Sequence, residues 1–237
     1  MIKIQAFYIP SHINPYLFER LFKLVDLDKQ KKINQFTSVK DSYRSLIGDI
    51  AIRLLVCQKY HISNNKIFYQ YNKYNKPNIA LNPPFFFNIS HSGDWVVVIS
   101  HTSEVGIDIE KIQDIDINIS SKYFTYFEHQ NLLSCKEEDR IPYFFDLWTL
   151  KESYIKFVGK GLSIPLNSFL IEKTCSEQFK IRNIHENFDN IENVFFKQYI
   201  LDSNYSLSAC APTPNFPKDI EIFTIDDLKS LILLLEK

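Results

Sequence analysis

The chain has 237 residues, 45% of them hydrophobic, with 20 Phe and 13 Tyr but only 5 Gly. This is enough apolar material for a sizeable core and too little glycine for phosphate-cradling loops; neither GxGxxG nor GxxxxGK(S/T) occurs. A formal net charge of -1 excludes a broad, sequence-independent nucleic-acid surface, which needs a clear excess of Lys and Arg.

The opening MIKIQAFYIP alternates as a first strand and lacks the basic segment, apolar core and cleavage site of a signal peptide. The longest late apolar run, LILLL, is too short for a bilayer, so a cytoplasmic protein with no membrane contact is expected. PYLFERLFKLVD carries apolar residues at helical spacing, and LDKQKKINQF continues that helix with a lysine cluster. SVKDSYRSLIGDIAIRLLVCQKY predicts a long helix capped by Ser38 or Asp41, with Leu46, Ile47, Ile50, Leu54 and Leu55 as its buried stripe. Arg44 and Ser45 fall near its first turns, where amide N–H groups and the helix dipole favour anions.

Strand-like pieces follow at KIFYQYN, FFFNIS, WVVVISH and VGIDIEKI, separated by NPP and SGD turns. The unbroken apolar run of WVVVIS marks a central strand. From about residue 120 the outline repeats, with helical SKYFTYFEHQNLL and IPYFFDLWTLKESYIKFVGK, then strands at FLIEK, QFKIRNI, VFFKQYIL and YSLSACA. The expected fold class is α+β: two similar halves, residues 1–111 and 112–237, joined near 111–119 and enclosing a crevice. Cys57, Cys135, Cys175 and Cys210 lack CxxC spacing and read as reduced, mostly buried thiols rather than a zinc site or disulfide framework.

Two constellations bear on chemistry. On a strand, Asp108 and Glu110 share one face while Val105, Ile107 and Ile109 fill the other. A solvated edge would explain an arbitrary DxE, but these flanks are strongly apolar. In LWTLKESYIK, Glu152 and Lys156 stand four apart on one helix face, a spacing worth roughly 0.2–0.5 kcal/mol as a plain surface pair. If Glu152 meets Asp108 and Glu110, three hard oxygen ligands converge, and a divalent cation such as magnesium, completed by substrate phosphates, resolves their repulsion. Anion-binding groups are available in Ser90 and His91, Lys76, Lys29 and Lys32, and Arg44. GKGLSIP reads as a helix C-cap at Gly159 and the turn after it rather than as a phosphate loop.

In their order and separations, FNISHS (87–92), GIDIE (106–110) and WTLKESYIK (148–156) resemble the signatures of the Sfp-type 4′-phosphopantetheinyl transferases. DKQKKINQF, RSLIGDIAIR, YNKPNI and GKGLSIPLNSF extend the resemblance over most of residues 1–172. It implies two pseudo-symmetric α/β-sandwich halves with the active site in the cleft between them, and transfer of the phosphopantetheine arm of coenzyme A to a serine of a carrier protein. By motif, Asp108, Glu110 and Glu152 would hold Mg2+, and Lys156 would contact the phosphate under attack. Lys29, Lys32, Arg44, Ser45, Lys76, Pro77, Asn88, Ser90, His91 and Asp108 would contact coenzyme A. Glu152, then Glu128 in the neighbouring helix, are the candidate bases. Asn75 stands where the family often has Gly, and Tyr43 where it commonly has His, which puts a nucleotide contact at that position in doubt. An apo acyl or peptidyl carrier protein would dock near residues 117–133 on a monomer. Two other readings remain open: a non-catalytic coenzyme A or nucleotide-binding module, and a magnesium-dependent phosphodiesterase.

Overall fold

The protein is described by a computed structural model covering residues 1–174, 178–183 and 193–236. Strand β1 (Lys3–Tyr8) lies inside a sheet: Ile4 and Ala6 enter one core, Phe7 the opposite one. The single helix expected after it is two, α1 (Pro15–Lys23) and α2 (Leu27–Asn34). Asp26 separates them, because its carboxylate accepts the Lys29 amide and so starts a new helix where the first would have continued. Helix α3 (Val39–Tyr60) begins at Ser38, whose hydroxyl accepts from the Asp41 amide, and ends at a left-handed His61. Its buried surface includes the expected stripe and also Ile52 and Val56, so its middle is enclosed on more than one side.

Residues 66–72 contribute little strand. A short hairpin, β2 (Gln70–Tyr71) with β3 (Pro77–Asn78), precedes β4 (Phe86–Ser92), β5 (Trp95–His101) and β6 (Gly106–Lys111). In the second half, α4 (Ser120–Tyr123) and α5 (Tyr126–Ser134) replace one expected helix, because Thr125 and Glu128 form a reciprocal capping box that restarts it. Then come α6 (Glu137–Val158), β7 (Phe169–Lys173), β8 (Phe179–Asn183), β9 (Phe195–Tyr199), β10 (Tyr205–Ala211), β11 (Glu221–Phe223) and α7 (Ile225–Leu231). Gly159 ends α6 in the left-handed conformation, φ 72°, as a C-cap.

The architecture is α+β. One sheet runs β11-β1-β5-β4 and a second β6-β10-β9, with β7-β8 a separate hairpin. Helix α3 covers the outer face of the first sheet against Val96 and Val98. On the second sheet Cys210 and Phe196 pack in one cluster with α6 residues. Between the sheets, Ile4, Val97 and Ile99 meet Ile107, Ile109, Leu207 and Ala209 in an apolar core.

The expected boundary at residue 111 does not follow these layers. Strand β6, placed in the first half, is an edge strand of the second sheet. The terminal residues, placed in the second half, return to the first: β11 pairs parallel with β1, and Leu228, Ile232 and Leu235 bury themselves in the core under α3. Burial of those three side chains outweighs sequence proximity. Cys57 and Cys210 are buried free thiols and Cys135 is half-buried, whereas Cys175 lies outside the described residues. Among the described residues no helix is long and apolar enough to cross a membrane.

Candidate active site

Strands β4 and β6 are the facing edges of two different sheets, and side chains join them. The amides of Ile107, Ile109 and Lys111 donate to Asn88 Oδ1 (3.0 Å), Ser90 Oγ (3.3 Å) and Ser92 Oγ (3.0 Å). An alternating row of polar side chains on β4 thus satisfies the amides that an ordinary ladder would pair with carbonyls. Both serines also donate to acids, Ser90 to Asp108 Oδ1 (2.8 Å) and Ser92 to Glu110 Oε2 (2.9 Å).

Helix α6 lies against the acid-bearing face of the second sheet. Gly106 permits this approach: a Cβ there would stand 1.9 Å from the Ser153 carbonyl oxygen and 2.5 Å from the Phe157 nitrogen, both backbone atoms of α6. One end of the contact is polar, with Thr149 Oγ1 bonded to the hydroxyls of Ser206 (3.1 Å) and Ser208 (2.8 Å) on β10. Further along, Glu152 and Lys156 face β6, and Lys156 Nζ donates to Asp108 Oδ1 (2.6 Å) and Ser90 Oγ (2.9 Å).

The result is an open pocket of about 450 Å³ lined by Ser90, His91, Asp108, Glu110, Trp148, Glu152 and Lys156. A second, of about 240 Å³, shares Glu152 and Lys156 with it and adds Tyr74, Asn75, Lys76, Pro77 and Asn88. Strand edge, hairpin and helix therefore bring nine of the motif-selected residues to these two adjoining pockets.

The electrostatics are those of crowded acids. Burial raises the Asp108 carboxyl against the pull of Lys156. Burial, and then the Asp108 charge, push Glu110 up to about 7. Glu152 is raised by the same two causes. His91 is lowered by burial and then by the positive charges of Arg44 and Lys156. Asp108 is 3% exposed, and its second oxygen, Oδ2, is buried without a hydrogen-bond partner. Three acids sharing one lysine, with an orphaned carboxylate oxygen, form a donor set suited to a hard divalent cation such as magnesium. In the arrangement observed Lys156 neutralises Asp108, and among the described residues no three His, Cys, Asp or Glu side chains close around one point.

Other selected residues are placed differently. Glu128 is outside the pocket: it is 1% exposed, pairs with the buried Lys151 (2.8 Å), and accepts the amides of Thr125 (2.9 Å) and Ile171 (3.0 Å). Enclosed and bonded on both oxygens, Glu128 stands apart from the pocket and its observed partners are all structural. Arg44 lies near His91 but donates to Asp41 and to the Gly93 carbonyl (2.7 Å), clamping the β4–β5 turn. Ser45 follows it on α3, half-buried. Tyr43 is buried in the core against Phe18, which removes it from any nucleotide contact. Lys76 bonds Glu104 (2.5 Å) and the Phe157 carbonyl (3.2 Å), securing the β2–β3 hairpin to the end of α6. Lys29 and Lys32 stand on α2, and Lys32 lines a separate groove of about 990 Å³ beside Tyr71. Sequence reasoning did not select Ser92, Lys151 or Trp148 as individual positions. The period-two polar spacing of Asn88, Ser90 and Ser92 was the available signal for the first.

A family model described as the 4′-phosphopantetheinyl transferase superfamily matches residues 104–210. Another, described as 4′-phosphopantetheinyl transferase, N-terminal, matches 13–103. The 4′-phosphopantetheinyl transferase Sfp of Bacillus subtilis (strain 168) is 34% identical over 227 residues, covering 96% of this chain and 100% of that protein. The 4′-phosphopantetheinyl transferase gsp of Aneurinibacillus migulanus is 42% identical over 177 residues, covering 75% of this chain and 74% of its own. A solved holo-[acyl-carrier-protein] synthase of Thermotoga maritima aligns with a TM-score of 0.39 at 16% identity, over 45% of this chain and 61% of its own. With near-complete coverage by Sfp and the three signatures gathered at one pocket, the chain is an enzyme that belongs to the Sfp-type 4′-phosphopantetheinyl transferase family.

Proposed function

We propose that this enzyme transfers the 4′-phosphopantetheine arm of coenzyme A to a serine of an apo acyl or peptidyl carrier protein, releasing adenosine 3′,5′-bisphosphate. The observation that carries the reading is the shared pocket, where Asp108 and Glu110 from β6 face Glu152 and Lys156 from α6.

Asp108, Glu110 and Glu152 are the residues that would hold magnesium. When bound, the ion supplies charge neutralisation on the diphosphate. Lys156 reaches the same space, and its ammonium stabilises negative charge on the phosphoryl oxygens as the P–O bond to the nucleotide breaks. His91 lines the same pocket and binds phosphate oxygens, while Ser90 holds Asp108 and Lys156 in place beside them. Glu152 takes the proton of the attacking serine hydroxyl. Lys76, Pro77 and the 74–76 turn lie at the nucleotide end.

Tyr126 and Phe127, 72% and 64% exposed, supply apolar anchors for the carrier within residues 117–133, a segment that also carries the cation Lys122 over the Tyr123 ring. The enzyme acts as a monomer.

Incubation of the purified protein with coenzyme A, magnesium and an apo carrier protein tests the reading. A phosphopantetheine mass gain on the carrier serine is expected. An unchanged carrier, or free phosphopantetheine released into solution, overturns it in favour of a binding module or a phosphodiesterase.

A further inference from the structure

Ser92 closes the row of bonds between β4 and β6, yet it does not line the pocket. A hydroxyl carries one proton. Ser92 Oγ accepts the Lys111 amide at 3.0 Å, and its proton is directed to Glu110 Oε2 at 2.9 Å. Ser90 repeats the pattern two residues earlier, accepting from the Ile109 amide and donating to Asp108. Asn88 accepts the Ile107 amide opposite Gly106, where the backbone of α6 leaves no room for a side chain. Asn-x-Ser-x-Ser on one strand thus answers Gly-x-Asp-x-Glu on the other, position by position. A slip of one residue would turn Phe87, Ile89 and His91 toward β6 and leave both its amides and its acids without these partners.

We propose that Ser92 is a positioning residue for the transfer reaction: its hydroxyl orients the Glu110 carboxylate and pins the end of β6 to β4. This rests on the reading of Glu110 as a cation ligand. Groups that orient ligating carboxylates change metal affinity when removed, without touching the metal or the substrate.

The test compares Ser92→Ala, Ser92→Thr and Glu110→Gln in the full chain, with two readouts. In metal-free protein, hydrogen exchange at the Lys111 amide accelerates by about tenfold in Ser92→Ala, as loss of one acceptor dictates. In the transfer assay, the magnesium concentration for half-maximal rate rises by about tenfold while the KM for coenzyme A stays near wild type. Ser92→Thr, which keeps the hydroxyl, restores both. If Ser92→Ala does not fold, Ser92→Cys, a weak donor and acceptor of similar volume, carries the same expectations. Faster exchange with an unaltered magnesium dependence, while Glu110→Gln shifts it, overturns the proposal and leaves Ser92 purely structural. A parallel rise in the coenzyme A KM also overturns it. An unaltered magnesium dependence in Glu110→Gln removes the ligand reading of Glu110, and the proposal with it.

Discussion

Lys156 Nζ lies 2.6 Å from Asp108 Oδ1, a charge-assisted bond that ties the long helix of the second half to an edge strand 48 positions earlier. The two partners are not equivalent, since the Asp108 side chain is 4% exposed and that of Lys156 is 27% exposed. Substituting one or the other should therefore have unequal costs. Asp108→Asn keeps the shape and an acceptor for Ser90, and leaves a lysine that can rehydrate, so stability should change by less than about 1 kcal/mol. Lys156→Met strands a buried carboxylate and should cost about 3 kcal/mol or more. Both should lower transfer by at least about 100-fold, through ligand loss in one case and loss of the cation in the other. Urea melts and carrier mass-gain kinetics check this; equal destabilisation by the two, or near-normal transfer by either, contradicts it.

Glu110 gives the pocket a pH signature. Its carboxyl is raised from 4.5 to about 7 in the fold, by burial first and by Asp108 second. Below pH 4.5 the group is protonated folded or unfolded, and its favourable contribution is complete. As pH rises through about 7 the folded state must ionise it against burial and a neighbouring charge, so that contribution is lost. Metal-free protein should accordingly lose thermal stability between about pH 5 and 8 relative to Glu110→Gln. His91, whose pKa is lowered, acts in the opposite sense as pH falls, and it is present in both proteins, so the difference between them isolates Glu110. Calorimetric scans across this range, without magnesium, decide the matter; parallel curves would refute it.

The Glu128–Lys151 pair is fully enclosed, with Lys151 also donating to the Leu166 (2.9 Å) and Phe169 (2.5 Å) carbonyls. It fastens α5 and the segment after α6 to α6 itself. Burial pushes the Lys151 ammonium down to about 8, which marks the cost of enclosing it. Glu128→Gln or Lys151→Met should each lose about 3–5 kcal/mol, and the double substitution less than the sum of the two. Turnover per folded molecule in Glu128→Gln should stay close to wild type. A fold-intact Glu128→Gln with abolished transfer would restore this residue as a base.

Gly106 is a steric requirement of the site. Alanine there places a methyl group inside contact distance of two backbone atoms of α6, which no side-chain rotation relieves. The helix must shift by more than an ångström, carrying Glu152 and Lys156 with it. Gly106→Ala should lose about 1–3 kcal/mol or more, and a displacement of that size costs about 100-fold in rate. Thermal melts with single-turnover transfer measure both; wild-type values for either would show that α6 does not rest on this strand as described.

Much of this protein is written locally. The Ser38 cap, the left-handed Gly159 and the i,i+4 placement of Glu152 and Lys156 depend on neighbours within a turn of helix, and the two-residue period that sets Asp108 and Glu110 on one face needs only the strand itself. Caps inside longer apolar patterns, at Asp26 and at Thr125, are hidden in the sequence because helical periodicity continues across a break that only the backbone bonding reveals.

Tertiary structure alone decided which sheet each strand joined and what each polar side chain met. An apolar face is equally satisfied by any complementary face, so nothing within GIDIEK announces β10 as its ladder partner and β4 as its side-chain-bridged neighbour. Nor does residue 221 announce its return to β1. Glu128 shows the same limit at one position: a glutamate on an amphipathic helix has the same sequence whether it faces solvent or Lys151. The type of each group was local information, and its partner was not, because partners are chosen by the burial of surfaces that are far apart along the chain.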